Sequence, residues 1–137
     1  MKSIVLILSI LFSMTSCSDN ENIICEDTTI IDNQQYTDAQ SDNYTLISLN
    51  NHRGCLKVSI RYGGGCKEVS VKLIDSEEIF ESNPIQRNLK IVLTDNDECE
   101  ALIENNFYFD ISDLQVNNES KVLLNFQGSD LTYLYEY

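Results

Sequence analysis

The sequence predicts an all-β fold: an antiparallel β-sandwich of about seven strands, immunoglobulin-like and stapled by disulfides. Three observations carry this. From residue 44 onward apolar residues alternate with polar ones at period two, no stretch sustains a helical stripe, and the cysteines come in an even number once Cys17 is set aside. Short alternating strands separated by turn signals are the pattern of a sandwich.

The elements follow in order. "NYTLISL" opens the pattern, and a strand is expected over 44–49. "CLKVSIRY" puts Leu56, Val58, Ile60 and Tyr62 on one face and Lys57, Ser59 and Arg61 on the other, giving a strand over 55–62. "KEVSVKLI" repeats this with Val69, Val71 and Leu73, for a strand over 67–75. Between them Gly63-Gly64-Gly65 reads as a tight reversal of one strand into the next, since glycine reaches positive φ without a steric penalty. A phosphate cradle is a poor reading of the same glycines, because no helix and no Lys-Ser/Thr signature follows. "DSEEIFES" suits one helical turn or a polar loop leading to Pro84, outside every expected strand.

Strands over 88–94, 121–127 and 131–136 complete the set, with one ambiguous segment before the last two. "CEALIENNFYFDISDL" reads either as two strands turning at Asn105-Asn106 or as one strand over 99–111. The odd positions Cys99, Ala101, Ile103, Phe107, Phe109 and Ile111 keep one phase. This favours the single strand, with a bulge near the asparagines. The expected core is Leu46, Leu56, Val58, Ile60, Val69, Val71, Leu73, Ile91, Leu93, Ile103, Phe107, Phe109, Leu124 and Phe126, without a tryptophan.

The N-terminus points to export. "MKSIVLILSILFSMTSC" has one early cation, Lys2, an apolar run from Ile4 to Phe12, and then small and hydroxyl residues. This is the layout of a signal peptide, expected over 1–16, with about half the apolar length of a membrane span. "SMTSC" resembles the lipobox of bacterial lipoproteins, with Met14 where Leu is usual. The resemblance implies that Cys17 becomes the mature N-terminus and carries lipid, palmitate among the acyl chains, which anchor it durably. Residues 17–43 contain seven acids and no base, and read as an acidic tether reaching ~30 Å. Acids just after Cys17 also resemble the export signal of surface-exposed lipoproteins. The expected location is therefore the bacterial cell envelope, at the outer membrane.

Removing residues 1–16 takes away Lys2 and no acid, leaving 8 cations against 22 acids, near −14. That charge argues against nucleic acid as a partner and against electrostatic adhesion to anionic lipid. It permits a cationic partner.

The four remaining cysteines allow three pairings. Cys99 shares phase with the buried face of its strand, Cys66 follows glycines that can re-aim it inward, and Cys55 shares phase with a polar face. Phase therefore favours Cys66–Cys99 inside the domain and Cys25–Cys55 pinning the tether. A zinc site from His52, Cys55, Cys66 and Cys99 is the alternative, but no C-x-x-C pair is present. Asp95, Asp97, Glu98 and Glu100 are oxygen-rich without an EF-hand pattern. No metal and no cofactor is expected.

Catalytic groupings are scarce. His52 is the sole histidine, no G-x-S-x-G occurs, and Glu77, Glu78 and Glu81 read as a solvated face rather than a glycosidase pair. No enzymatic activity is expected. Tyr133, Tyr135 and Tyr137 share one face of the last strand, as a protein- or glycan-binding stripe or as the closure of a sandwich edge.

"GCLKVSIRYGGGCKEVSVKLI", "DECEALIENNFYFDISDL" and "VLLNFQG…LTYLYEY" together resemble the C-terminal β-sandwich of NigD-like lipoproteins over roughly residues 44–137. Gly64-Gly65-Cys66 and Cys99-Glu100-Ala101 are the strongest pieces. The resemblance implies an envelope lipoprotein linked to bacteriocin immunity, with no catalytic residues to carry over. Two departures stand out: the chain is short for the family's additional N-terminal barrel, and no histidine follows the Gly-Gly-Cys segment. The expected function is a non-enzymatic surface binding or accessory module with an unidentified protein or glycan partner. The alternatives are a structural subunit of an outer-membrane assembly and a glycan-binding lipoprotein.

Overall fold

A computed structural model describes residues 24–137. The signal segment 1–16 and Cys17 lie outside the described residues. The chain forms β1 (Asp27–Thr28), β2 (Ile30–Ile31), α1 (Asn33–Asp38), β3 (Tyr44–His52), β4 (Cys55–Gly64), β5 (Ser70–Phe80), β6 (Ile85–Thr94), β7 (Ala101–Asp110), a 3₁₀ turn (Ser112–Leu114), β8 (Lys121–Phe126) and β9 (Thr132–Glu136). One sheet has the order β1-β7-β4-β3, the other β2-β5-β6-β8-β9. The chain alternates between sheets, as in immunoglobulin-like sandwiches. Among the described residues four pairings are antiparallel, whereas β6 with β8, β1 with β7 and β2 with β5 run parallel.

Period two builds the core. Leu56, Val58, Ile60 and Tyr62 of β4 are buried against Val71 and Leu73 of β5, Leu89, Ile91 and Leu93 of β6, and Val122, Leu124 and Phe126 of β8. Each fully buried aliphatic side chain here contributes about 1.5–3 kcal/mol. Leu46, Val69, Ile103 and Phe107, expected in the core, are only partly buried. Leu46 and the two β7 residues lie on strands at or near a sheet edge, where the opposite sheet covers them incompletely. Ile111, within the strand expected over 99–111, is buried just past the end of β7, and Leu114 is fully covered, so the 3₁₀ turn plugs the core beyond any expected strand.

Several expectations are corrected. From residue 24 onward the acidic stretch 17–43 is not a free tether but part of the sandwich. Asp27–Thr28 pairs parallel with β7, Ile30–Ile31 pairs parallel with β5, and Thr29 between them is buried. Thr29 donates both its N–H and its hydroxyl to the Asp110 carbonyl. The segment thus crosses from one sheet to the other and stitches them together. Asp32 then caps α1, accepting from the Gln35 N–H at 2.8 Å. At the other end the Lys90 ammonium donates to the carbonyls of Tyr36 and Ala39, satisfying the last turn.

The three glycines do not reverse one strand onto the next. Gly63 and Gly64 belong to β4, and the chain then leaves for the other sheet. Gly65 is the residue that needs to be glycine. Its φ is +112°, and an added Cβ would meet Ile103 Cδ1 at 3.2 Å.

"DSEEIFES" is neither helix nor loop. β5 continues through it to Phe80 by a bulge in which Ser76, Glu77 and Glu78 stand opposite Asn88 alone. Conversely, Asn105-Asn106 carries no bulge, and β7 pairs with β4 in unbroken register from Ala101 to Phe109.

Candidate functional site

The cysteines form the two pairs that strand phase favours, but in different surroundings. Cys25 bonds Cys55 and Cys66 bonds Cys99. Cys55 opens β4 and is 1% exposed. It does lie in the polar phase of its strand, where the Cys25 segment covers it. Cys66 lies just past the far end of β4 and is exposed, not turned inward. Its bridge joins two connections that pass between the sheets, 65–69 and 95–100. The central strand is therefore stapled near both ends.

Around the outer staple Asp97 forms a clasp. Its carboxylate accepts the N–H groups of Cys99 (2.8 Å), Lys67 (2.8 Å) and Cys66. These bonds, that to Cys99 first, and the charge of Lys67 hold the Asp97 carboxyl below the usual carboxylate range. Asp97 gathers with Cys66 and Cys99 within 4.8 Å. Both sulfurs there are in a disulfide and both carboxylate oxygens already accept backbone N–H groups, so the donors are spent on structure. The zinc set considered above does not assemble: Cys55 is bonded to Cys25, and His52 stacks on Tyr108 with ring centroids 5.2 Å apart.

The tyrosines at the C-terminus close an edge. Tyr135 is buried and its hydroxyl accepts from Gln115 Nε2, while Tyr133 packs partly against the core. The Tyr137 hydroxyl accepts the Val116 N–H and donates to the Val116 carbonyl. The hydroxyls of Tyr135 and Tyr137 are thus committed to Gln115 and Val116, while the Tyr137 ring stays 38% exposed.

A site that sequence reading passed over sits at the β5 bulge. Asp75 and Arg87 occupy core-phase positions of β5 and β6, beside Leu73 and Leu89. They form a fork-to-fork pair, with Arg87 Nε on Asp75 Oδ2 at 3.0 Å and Arg87 Nη2 on Oδ1 at 2.6 Å. The side chains are 6% and 0% exposed. Asp75 Oδ1 also accepts the Glu77 N–H at 2.9 Å. Glu77 is held at φ +63°, a region that disfavours side chains other than glycine's.

The buried pair thus fixes the Ser76–Glu78 bulge, beyond which Ile79 and Phe80 resume regular pairing with Arg87 and Gln86 and so point to opposite faces of the sheet. Ile79 and Phe80 remain 46% and 42% exposed. Beside them a cleft of about 530 Å³ has Ile85 and Val116 on its apolar wall and Glu81 and Glu119 as its charged lining. Ile79 also lines this cleft, so the geometry offers there an apolar contact framed by carboxylates, with no cation among the described residues that line it. The missed signal was legible: an arginine in the inward phase of "IQRNLKIVL" requires a buried acidic partner.

Fold and site define a class: a disulfide-stapled, two-sheet sandwich with an acid-framed apolar protrusion. Solved structures share this fold. One is a NigD-like immunity protein from Bacteroides caccae (TM-score 0.58, 14% identity, 80% of this chain and 63% of that one). Another is a protein of unknown function, DUF1344, from Bacteroides vulgatus (TM-score 0.53, 13% identity, 81% and 55%). A third, described as toxin-related, comes from Parabacteroides distasonis (TM-score 0.52, 17% identity, 81% and 59%). The likeness is one of fold, and its NigD-like member agrees with the resemblance read from the Gly-Gly-Cys and Cys-Glu-Ala segments. The chain spans 55–63% of the length of these structures. No family model and no curated protein matches the chain.

Proposed function

We propose that this chain is a non-enzymatic, lipid-anchored binding module of the bacterial cell envelope, carried at the outer membrane through Cys17. Its partner bears positive charge next to an apolar group. The observation that carries this reading is the cleft just past the β5 bulge, where Ile79 stays in solvent beside Glu81 and Glu119 on strands fixed by a buried ion pair. Solvent-exposed apolar groups rimmed by charge are a feature of interaction sites. A bacteriocin-immunity-related role is the finer form of the proposal. The shared fold with a NigD-like immunity protein and the net acidity of the chain both support it.

The test titrates the full chain with a Lys/Leu amphipathic peptide and with its Glu/Leu counterpart at two salt concentrations. The cationic peptide should bind, more weakly in high salt. Ile79→Ser should lower that affinity about tenfold, the equivalent of ~1.4 kcal/mol. Equal binding of both peptides, or affinity unmoved by Ile79→Ser, counts against the proposal.

A further inference from the structure

The outer edge of β7 is open along most of its length. Among the described residues only β1 pairs with it, at Phe109 and Asp110. Residues 102–108 carry no proline, lysine or bulge to protect the edge, and their one charged side chain, Glu104, is paired with Arg61. Two hydrogen bonds show which backbone groups face outward. The Asp110 carbonyl points to the β1 side, where it accepts from Thr29. Four residues earlier, in the same phase, the Asn106 N–H is met by the side-chain oxygen of its neighbour Asn105 at 2.9 Å. The outward set is therefore Leu102, Glu104, Asn106 and Tyr108.

The order of residues along this edge reads alike in both directions about Asn105. Apolar Leu102 and Ile103 precede it, apolar Phe107 and Tyr108 follow, and polar Glu104 and Asn106 flank it. We infer that β7 pairs with β7 of a second copy of this chain, antiparallel about a two-fold axis at Asn105.

In that register Glu104 faces Asn106 of the second copy, Leu102 faces its Tyr108, and Ile103 faces its Phe107. The pairs at 102/108 and 104/106 join outward-facing backbone groups and exchange the hydrogen bonds an antiparallel ladder requires, the Asn106 N–H doing so by releasing the Asn105 side-chain oxygen that holds it in the single chain. An aliphatic residue meets an aromatic one on each face, a favourable cross-strand contact. No carboxylate lies directly opposite another, and each Glu104 is already paired with Arg61 at 3.0 Å. Charge farther away is screened beyond ~8–10 Å. Leu102, 75% exposed in the single chain, gains a partner. On the inner face, the cleft of about 600 Å³ beside Tyr62, Val69, Ile103 and Phe107 is roofed by the second copy's Phe107. The interface is isologous, so it closes as a dimer and does not propagate. It is independent of the binding face at Ile79.

The register makes a sharp test. In full-length protein in detergent, Asn105→Cys places two thiols across a non-hydrogen-bonded pair, with Cα atoms about 4.5 Å apart, within disulfide range. Glu104→Cys and Asn106→Cys put each thiol diagonal to its twin at about 7–8 Å. Mild oxidation should therefore give a roughly tenfold excess of covalent dimer for Asn105→Cys over either neighbour. Asn106→Pro removes an outward N–H and leaves the backbone ladder to β4, and should convert the dimer to a folded monomer by sedimentation. It also removes the Asn106 Oδ1 that accepts from Ser59 at 2.6 Å, so Asn106→Ala, which loses that bond but keeps the N–H, should remain dimeric. Equal cross-linking at all three positions, or a wild-type monomer at the highest attainable concentration, overturns the inference. So does edge amide protection at Glu104 and Asn106 that does not change with protein concentration, because that means the chain covers its own edge.

Discussion

Arg87 and Asp97 show how single side chains support this fold in opposite ways. Arg87 sits in the core phase of β6 and is tolerable there only because Asp75 meets its guanidinium at two points. Arg87→Leu leaves a fully buried carboxylate without its partner and should destabilise the protein by about 3–5 kcal/mol in urea unfolding. The change should also free the Glu77 bulge. Asp97, by contrast, is at the surface and holds three backbone N–H groups beside the outer disulfide. Its carboxyl titrates lower when folded than the ordinary ~3.9 of an unfolded aspartate. The stability it contributes is therefore complete above about pH 4 and is lost as pH falls through the folded value. The amide resonances of Cys66, Lys67 and Cys99 should shift together in acid, and in Asp97→Asn that transition should disappear. Arg87 could be recognised in the sequence by its phase. Asp97 could not, because its role depends on two loops meeting.

Among the elements, the N-terminal segment differs most from its sequence reading. Its composition is that of a solvated linker, yet five residues, Asp27–Ile31, pair with both sheets and α1 lies against β5. Composition reports the average environment of a segment, and here a few backbone hydrogen bonds and one buried threonine outweigh it. The consequence reaches the disulfides. The two bridges span 30 and 33 residues, so loop entropy assigns each about 3–4 kcal/mol. Burial separates them. Removing Cys25–Cys55 by double alanine substitution opens a space at a 1%-exposed position and unpins the crossing segment. Removing Cys66–Cys99 leaves the Asp97 clasp in place on an exposed loop. The first double variant should therefore have the lower melting temperature, with non-reducing peptide mapping verifying the surviving bridge.

For the whole molecule, anchoring and binding are expected to separate. The described residues contain no helix long and apolar enough to cross a membrane. Cys17→Ala should release or stall the protein, because acyl chains at about 0.8 kcal/mol per buried methylene are its proposed hold on the membrane. Fractionation of mature Cys17→Ala with membranes after a salt wash would contradict that anchor. The soluble variant should keep its affinity for the cationic peptide, since the bulge lies on the sandwich itself.

Alternation alone determined the main strands, the core face of β4 and the sandwich class, because side chains at period two can bury one face only if two sheets meet. The strand expected over 88–94 stopped just short of Arg87, so alternation left the buried pair unread. Sheet membership, the parallel β6–β8 pair, the crossing of Asp27–Ile31 and the site at the β5 bulge were decided by the tertiary structure. A strand's pattern states which face is apolar, but not which neighbour it will meet. That choice rests on contacts between residues far apart in the chain, such as Thr29 with Asp110 and Asp75 with Arg87, whose energies exist only once both sheets are in place.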